Sequence, residues 1–245
     1  MAIYTGIADA NGDFSVPFSS AYAAGQKITI TAEKDLAQKT IELFAPSAVT
    51  GGGIITWTGT TVNFPRNIGD VTIENAVNAA IAPYAFSCYS STYSSFGYHA
   101  TGLVIKNAKT IDAYAFYNWN NCKSLSLPTG LTSIGDYAFR YWYMLNTHLI
   151  IPEGVVTIGS YAFNSANKCP KLTLPSTLVS IGSFGFGAMS VLAEILISAA
   201  NPPSIQSDTF SGLGTSCVIK VPAASLNAYK SAANWSAHAS KMIGV

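Results

Sequence analysis

The chain has 245 residues, a formal net charge of +1, 49% hydrophobic residues and only 10% charged ones. Such a composition excludes disorder, and so small a charge, with no local cluster of Lys or Arg, gives no field to attract nucleic acid. No apolar run approaches the ~18 residues of a membrane helix, so no membrane insertion is expected.

Met1 to Asp9 lacks a basic start followed by an apolar run, so no signal peptide is read there. Residues 1–48 read as short strands: Asn11-Gly12 is a hairpin signal, Phe14, Val16 and Phe18 share a face, and 27–33 and 39–44 alternate polar and apolar residues. Gly6-x-Ala8-Asp9-x-Asn11-Gly12-x-Phe14 and Ala24-Gly25-x-x-Ile28-x-Ile30-x-Ala32 resemble pieces of the later strands of a bacterial immunoglobulin-like domain. So few strands hide little apolar surface alone and need a partner, on the rest of the chain or in another copy. Association is the preferred reading, making 1–48 a small antiparallel β-domain for attachment and homo-oligomer formation, with a trimer favoured. Residues 49–53 read as a flexible joint. Residues 54–80 read as the N-terminal cap and first rung of a solenoid, Val62-Asn-Phe-Pro65 echoing a later Leu-x-Leu-Pro.

A repeat then sets in. Its ending occurs as Ile81-Ala-Pro-Tyr-Ala-Phe86, Ile111-Asp-Ala-Tyr-Ala-Phe116, Ile134-Gly-Asp-Tyr-Ala-Phe139, Ile158-Gly-Ser-Tyr-Ala-Phe163, Ile181-Gly-Ser-Phe-Gly-Phe186 and Ile205-Gln-Ser-Asp-Thr-Phe210. From Ile111 onward the steps are 23, 24, 23 and 24 residues. That period predicts, over 54–245, a β-rich leucine-rich-repeat solenoid of short strands, turns and short helices. Strands are predicted at Leu103-Val-Ile105, Leu125-Ser-Leu127, Leu149-Ile-Ile151, Leu172-Thr-Leu174, Ile195-Leu-Ile197 and Val218-Ile-Lys-Val221. Pro128, Pro152, Pro175 and Pro222 close them by removing a donor. Ile, Ala and Phe of each ending should point inward, while the Tyr84, Tyr114, Tyr137 and Tyr161 column belongs to the repeat itself. Residues 222–233 read as a helical cap behind Ser225, with Trp235 closing the last rung.

Cys122 and Cys169 are equivalent but two rungs apart, ~9.6 Å for rungs spaced ~4.8 Å. A disulfide needs Cα atoms within ~7 Å, so these thiols should remain unbridged. Together with Cys88 and Cys217 they read as buried filler, and no Cys-x-x-Cys suggests zinc.

Ile-Gly-x-Tyr-Ala-Phe, Leu-x-Leu-Pro-x-x-Leu-x-x-Ile and the ending Val221-Pro-Ala-Ala-Ser-Leu-x-Ala-Tyr-Lys230 resemble the BspA-type leucine-rich repeat over about residues 62–240. The resemblance implies attachment to host proteins or cells, commonly from a bacterial surface, and brings no catalytic residues.

Catalytic motifs are not found. His99, His148 and His238 fall in different repeats without metal-ligand spacing, and nucleophile-elbow, zincin and P-loop patterns are missing, so no metal or cofactor is expected. Asp112 and Asp136 on adjacent rungs could be read as a carboxylate pair for polysaccharide cleavage. They are offset within the motif, however, and solvated turn acids explain them better.

The segments after each Phe carry the chemistry that remains. The repeat places 87–99, 117–121, 140–144, 164–168 and 187–190 side by side on one edge, and they are rich in Tyr, Ser, Gly, Asn and Trp. Such residues give contact area at small entropy loss, and clustered exposed rings mark interfaces. The candidate ligand-binding residues are Tyr89, Tyr93, Phe96, Tyr98, His99, Tyr117, Asn118, Trp119, Asn120, Arg140, Tyr141, Trp142 and Tyr143. For Trp119 and Trp142, packing inward over the edge is an equal alternative. The expected function is non-enzymatic recognition of a cell-surface glycan or protein, in a virion or extracellular setting such as a phage tail fibre. A bacterial adhesin for a host matrix protein is the alternative.

Overall fold

A computed structural model describes residues 14–17, 27–34, 37–44, 54–58, 61–63, 69–74, 80–88 and 96–245. Parallel strands stacked rung on rung make up most of it. One series comprises Gly69–Glu74, Ala100–Lys106 and Ser124–Ser126, then Leu149–Ile150, Lys171–Leu174, Glu194–Ile197, Val218–Val221 and Met242–Gly244. A second comprises the two-residue strands Ala80–Ile81, Thr110–Ile111, Ser133–Ile134, Thr157–Ile158 and Ser180–Ile181. In this second sheet every repeat isoleucine pairs with the next, Ile81 with Ile111 through to Ile158 with Ile181. The expected leucine-rich-repeat solenoid is therefore present, with its rungs in register.

Alternation along the longer strands puts Val71, Leu103, Leu149, Leu172, Ile195 and Ile219 in the core, opposite Ile111, Ile134, Ile158 and Ile181. Ala115, Ala138 and Ala162 are fully buried beside the phenylalanines. Phe86, Phe116, Phe139, Phe163 and Phe186 stack face to face at 5.1–5.4 Å, and Phe210 continues the column at 6.0 Å. Each ring thus gains a stack worth ~0.5–1.5 kcal/mol beyond its buried area. Leu174 and Val221 end their strands directly before Pro175 and Pro222, as the missing donor requires. All four cysteines are buried and no disulfide joins them, and burial pushes the Cys88 thiol up to about 11.

The two ends are finished differently. Lys27–Lys34 and Ala37–Phe44 form an antiparallel hairpin, and Ala37–Phe44 pairs antiparallel with Gly69–Glu74. Of the two partners considered for this segment, the rest of the chain supplies one: Ala37–Phe44 is hydrogen-bonded to the first parallel strand of the solenoid, whose edge would otherwise lie open. Val62 is not part of a rung, contrary to the Val62-Asn-Phe-Pro65 echo. Thr61–Asn63 instead turns back antiparallel on Ile54–Thr58, which also pairs with Phe14–Pro17. The immunoglobulin-like resemblance falls largely on residues outside those described.

At the other end Leu226–Ser231 is helical, but the Ser225 side chain makes no capping hydrogen bond. The cap is held instead by two buried rings: Tyr229 donates its hydroxyl to the Ala199 carbonyl at 2.8 Å, and Trp235 donates Nε1 to the Pro203 carbonyl at 2.6 Å. Beyond them Met242–Gly244, which no sequence signal marks as a strand, adds a last parallel strand.

Truncating one stacked ring leaves a hole that neither neighbour can fill. Phe139→Ala should therefore lower stability by ~3–5 kcal/mol, read by denaturant or thermal unfolding. On the outer sheet face, hydrogen bonds from Lys171 and then Lys220, at 2.8 and 2.7 Å, hold the Glu194 carboxyl down at about 2. A depressed acid stabilises the fold above its unfolded value, and that contribution fades as pH falls toward the folded one. The stability difference between wild type and Glu194→Gln should be constant above about pH 5 and shrink between about 4.5 and 2.

Candidate functional site

The edge is built by two turns that follow each short strand. In the first, the Ala115 amide donates to the Asp112 carbonyl, Ala138 to Gly135 and Gly185 to Gly182. Tyr84, Tyr114, Tyr137, Tyr161 and Phe184 occupy the third place of this turn with φ between 51 and 60°, a left-handed position that favours glycine. An L side chain there costs ~1–2 kcal/mol. The rings recover it by stacking: Tyr84 on Tyr114 at 4.7 Å, Tyr114 on Tyr137 at 4.6 Å, Tyr137 on Tyr161 at 4.9 Å and Tyr161 on Phe184 at 5.0 Å. Two stacks of ~0.5–1.5 kcal/mol per inner ring match the strain. The tyrosine column is structural, as its place in the repeat suggested, and presents ring edges rather than faces to solvent.

Glycine is needed two residues earlier for a different reason. A Cβ on Gly135 would come 2.6 Å from the Ala113 amide nitrogen, and one on Gly182 would come 2.5 Å from that of Ser160. Rungs touch backbone to backbone here. Beside this column, Asp112 and Asp136 line an open groove of about 550 Å³ with Ser133, Thr157, Ser180 and Gln206. Ile111 pairs with Ile134, so the two acids sit one residue out of step. The Asp136 carboxylate accepts the Ser160 amide at 2.6 Å, tying one rung to the next.

The second turn carries most of the expected site. Asn118, Tyr141, Ser165 and Ala188 are left-handed (φ 67, 69, 71 and 56°). Their amides donate to Arg140, Asn164, Gly187 and Ser211 one rung on. That geometry turns the following residue inward. Trp119 and Trp142 are fully buried, stacked at 6.0 Å, and donate Nε1 to the Phe86 and Phe116 carbonyls at 2.7 and 2.8 Å. Both leave the set of residues that can touch a ligand. Their indoles fill the column that Ala166 and Met189 occupy in later rungs.

Tyr117, Arg140, Tyr141 and Tyr143 remain together at the surface. Tyr117 meets Tyr141 edge-on at 5.4 Å, and Tyr141 lies against Tyr143 at 5.5 Å. The Arg140 guanidinium is 4.4 Å from the Tyr141 ring centre, 4.7 Å from Tyr161 and 5.2 Å from Tyr137. Tyr143, 39% exposed, is the most open of the three rings. Burial, then the neighbouring Tyr141, raises its hydroxyl pKa.

Asn118 is half-buried and donates Nδ2 to the Tyr98 hydroxyl at 2.6 Å, while Asn120 stays half-exposed. Tyr98 packs against the core, so it buttresses the rim rather than joining it. Gly97 lies directly against the Trp119 indole, leaving no room for a side chain. Phe96 and His99 belong to the short helix Phe96–His99, but their side chains, and all of Tyr89 and Tyr93, lie outside the described residues. Tyr161, under the guanidinium, is a rim residue that its membership of the repeating column concealed.

These roles are separable. Trp142→Ala should empty a packed indole site and cost ~3–5 kcal/mol, whereas Tyr143→Ala should change stability by within about 0.5 kcal/mol. Thermal unfolding of both variants distinguishes core from rim.

Comparison with known proteins agrees with this geometry. The BspA type leucine rich repeat region matches residues 109–233 in 6 copies, just over half of the chain. No curated protein matches. The pneumococcal vaccine antigen PcpA is 22% identical with a TM-score of 0.55, over 83% of this chain and 52% of that one, a likeness of fold. The leucine rich repeat protein of T. pallidum is 19% identical over 66% of this chain and 77% of its own, with a TM-score of 0.47. A leucine rich cell surface protein of Faecalibacterium prausnitzii is 18% identical over 78% of this chain and 54% of its own, with a TM-score of 0.43. This chain thus spans about half the length of PcpA and of the F. prausnitzii protein. With six repeats recognised and their rungs in register, the chain belongs to the BspA-type leucine-rich-repeat family.

Proposed function

We propose that this chain is a non-enzymatic recognition module that binds a cell-surface glycan or protein through the Tyr117–Arg140–Tyr141–Tyr143 rim. The supporting observation is that these side chains cluster at the surface on adjacent rungs, although the later rungs fold with Asn164, Gly187 and Ala188 at the same positions. Rings and a cation not needed by the scaffold suit a contact surface. The ladder tyrosines have their faces occupied, so they offer hydroxyl edges for hydrogen bonds. The proposed setting is outside the producing cell, on a fibre of the tail-fibre kind or on a bacterial surface. Residues 1–48 would serve attachment or homo-oligomer formation.

The test is binding of labelled protein to receptor-bearing cells. The double change Tyr141→Ala/Tyr143→Ala should reduce binding by roughly 10-fold or more, the loss of one or two interface hot spots, while the unfolding midpoint stays within a few degrees. Undiminished binding by the folded variant would remove the rim from the function.

A further inference from the structure

We propose that the ligand of this rim is an acidic glycan, and that Arg140 seats its carboxylate. The inference rests on the recognition reading above and narrows its ligand class.

Arg140 is not demanded by the repeat. Ser87, Tyr117, Asn164, Gly187 and Ser211 hold the equivalent position after the other repeat phenylalanines, and none of them is charged. Nor is it satisfied by the fold. Ion pairs among the described residues join Glu194 to Lys171 and Lys220, and none reaches Arg140. The carboxylate four residues earlier, Asp136, is committed to the Ser160 amide. Arg140 Nε is buried without a hydrogen-bond partner, so no acceptor of the protein satisfies that donor.

Three tyrosine rings fix the guanidinium instead, at 4.4, 4.7 and 5.2 Å from their centres. Aromatic contact orients this planar group and leaves its outer N–H donors for a ligand. A guanidinium so held matches a carboxylate through two parallel hydrogen bonds.

The surroundings favour sugar over peptide as the bearer of that carboxylate. Segments 117–121 and 140–144 offer phenols and amides, from Tyr117, Asn120, Tyr141 and Tyr143, and Met144 is their one aliphatic side chain outside the core, half-buried. These groups match a hydroxyl-rich chain. Tyr and Arg also anchor protein contacts, so it is the scarcity of aliphatic side chains around them that favours the sugar.

The experiment measures binding of the whole chain to oligosaccharides containing uronic or sialic-type acids, and to the same oligosaccharides with the carboxyl reduced to an alcohol. Wild type should prefer the acidic forms by roughly 10-fold or more, as a charge-assisted bidentate contact implies. Arg140→Gln should bind both forms equally and weakly, and Arg140→Lys should retain part of the preference. Equal binding of both forms by wild type, a preference that survives in Arg140→Gln, or failure to bind any acidic member would overturn the proposal. Binding to acidic peptides of matched charge in place of the glycans would overturn the sugar assignment. Tyr141→Ala/Tyr143→Ala, run in parallel, separates the two claims. If it abolishes binding that shows no acid preference, the rim stands and the role of Arg140 falls; if it changes nothing, the rim itself falls.

Discussion

Every part of this molecule depends on one constraint: the backbone donors of each rung must find the carbonyls of the next, in the turns as well as in the strands. Phe116 donates to Ala138, Phe139 to Ala162 and Phe163 to Gly185, each at 2.8 Å. Because this ladder runs through the corners, buried main chain finds partners there as it does in the strands. It also locks residues a full repeat apart into one column, whether the column is Phe in the core or Tyr at the surface. The stacked rings are a product of the ladder, since rings attached to a backbone repeating at this spacing meet face to face.

The ladder also explains what is tolerated where. Positions that face the core or a neighbouring rung's backbone are narrowly restricted: Ile111 and Ala115 are fully buried, and Gly135 has a peptide within 2.6 Å of where its Cβ would be. The position after each Phe is different. Its backbone joins the ladder while its side chain passes from Tyr to Arg to Asn to Gly along the coil. A rigid frame with a freely chosen row of side chains is a sound basis for recognition, because the chosen groups are held in place by structure that they do not themselves support.

How much of this could be read in the amino-acid order depends on which physical signal is involved. The Ile, Ala and Phe columns were legible because their period is the repeat itself, and burial is the simplest reason for an apolar residue to recur. Trp119 and Trp142 were not. Whether they lie in or out is set by the left-handed φ of Asn118 and Tyr141 just before them, and neither residue type announces that conformation as glycine would. The tyrosine column was legible as part of the repeat, but its strained backbone was not, for the same reason. From the amino-acid order alone the N-terminal hairpin's place stays open between the rest of the chain and another copy, because strand pairing across more than 25 residues leaves no periodic trace. Arg140 stood out by type, yet its seat on Tyr161 joins residues that only the coil brings together.

The parallel register has a consequence for reach. Rungs can be added or removed only whole, so the distance from the N-terminal hairpin to the rim is quantised in steps of ~4.8 Å. Fine adjustment has to come from elsewhere, and the longer spacing between Ile81 and Ile111, 30 residues against 23 or 24 elsewhere, is where extra chain is accommodated without breaking the stack. Gene duplication can therefore set the height of such a module in whole rungs.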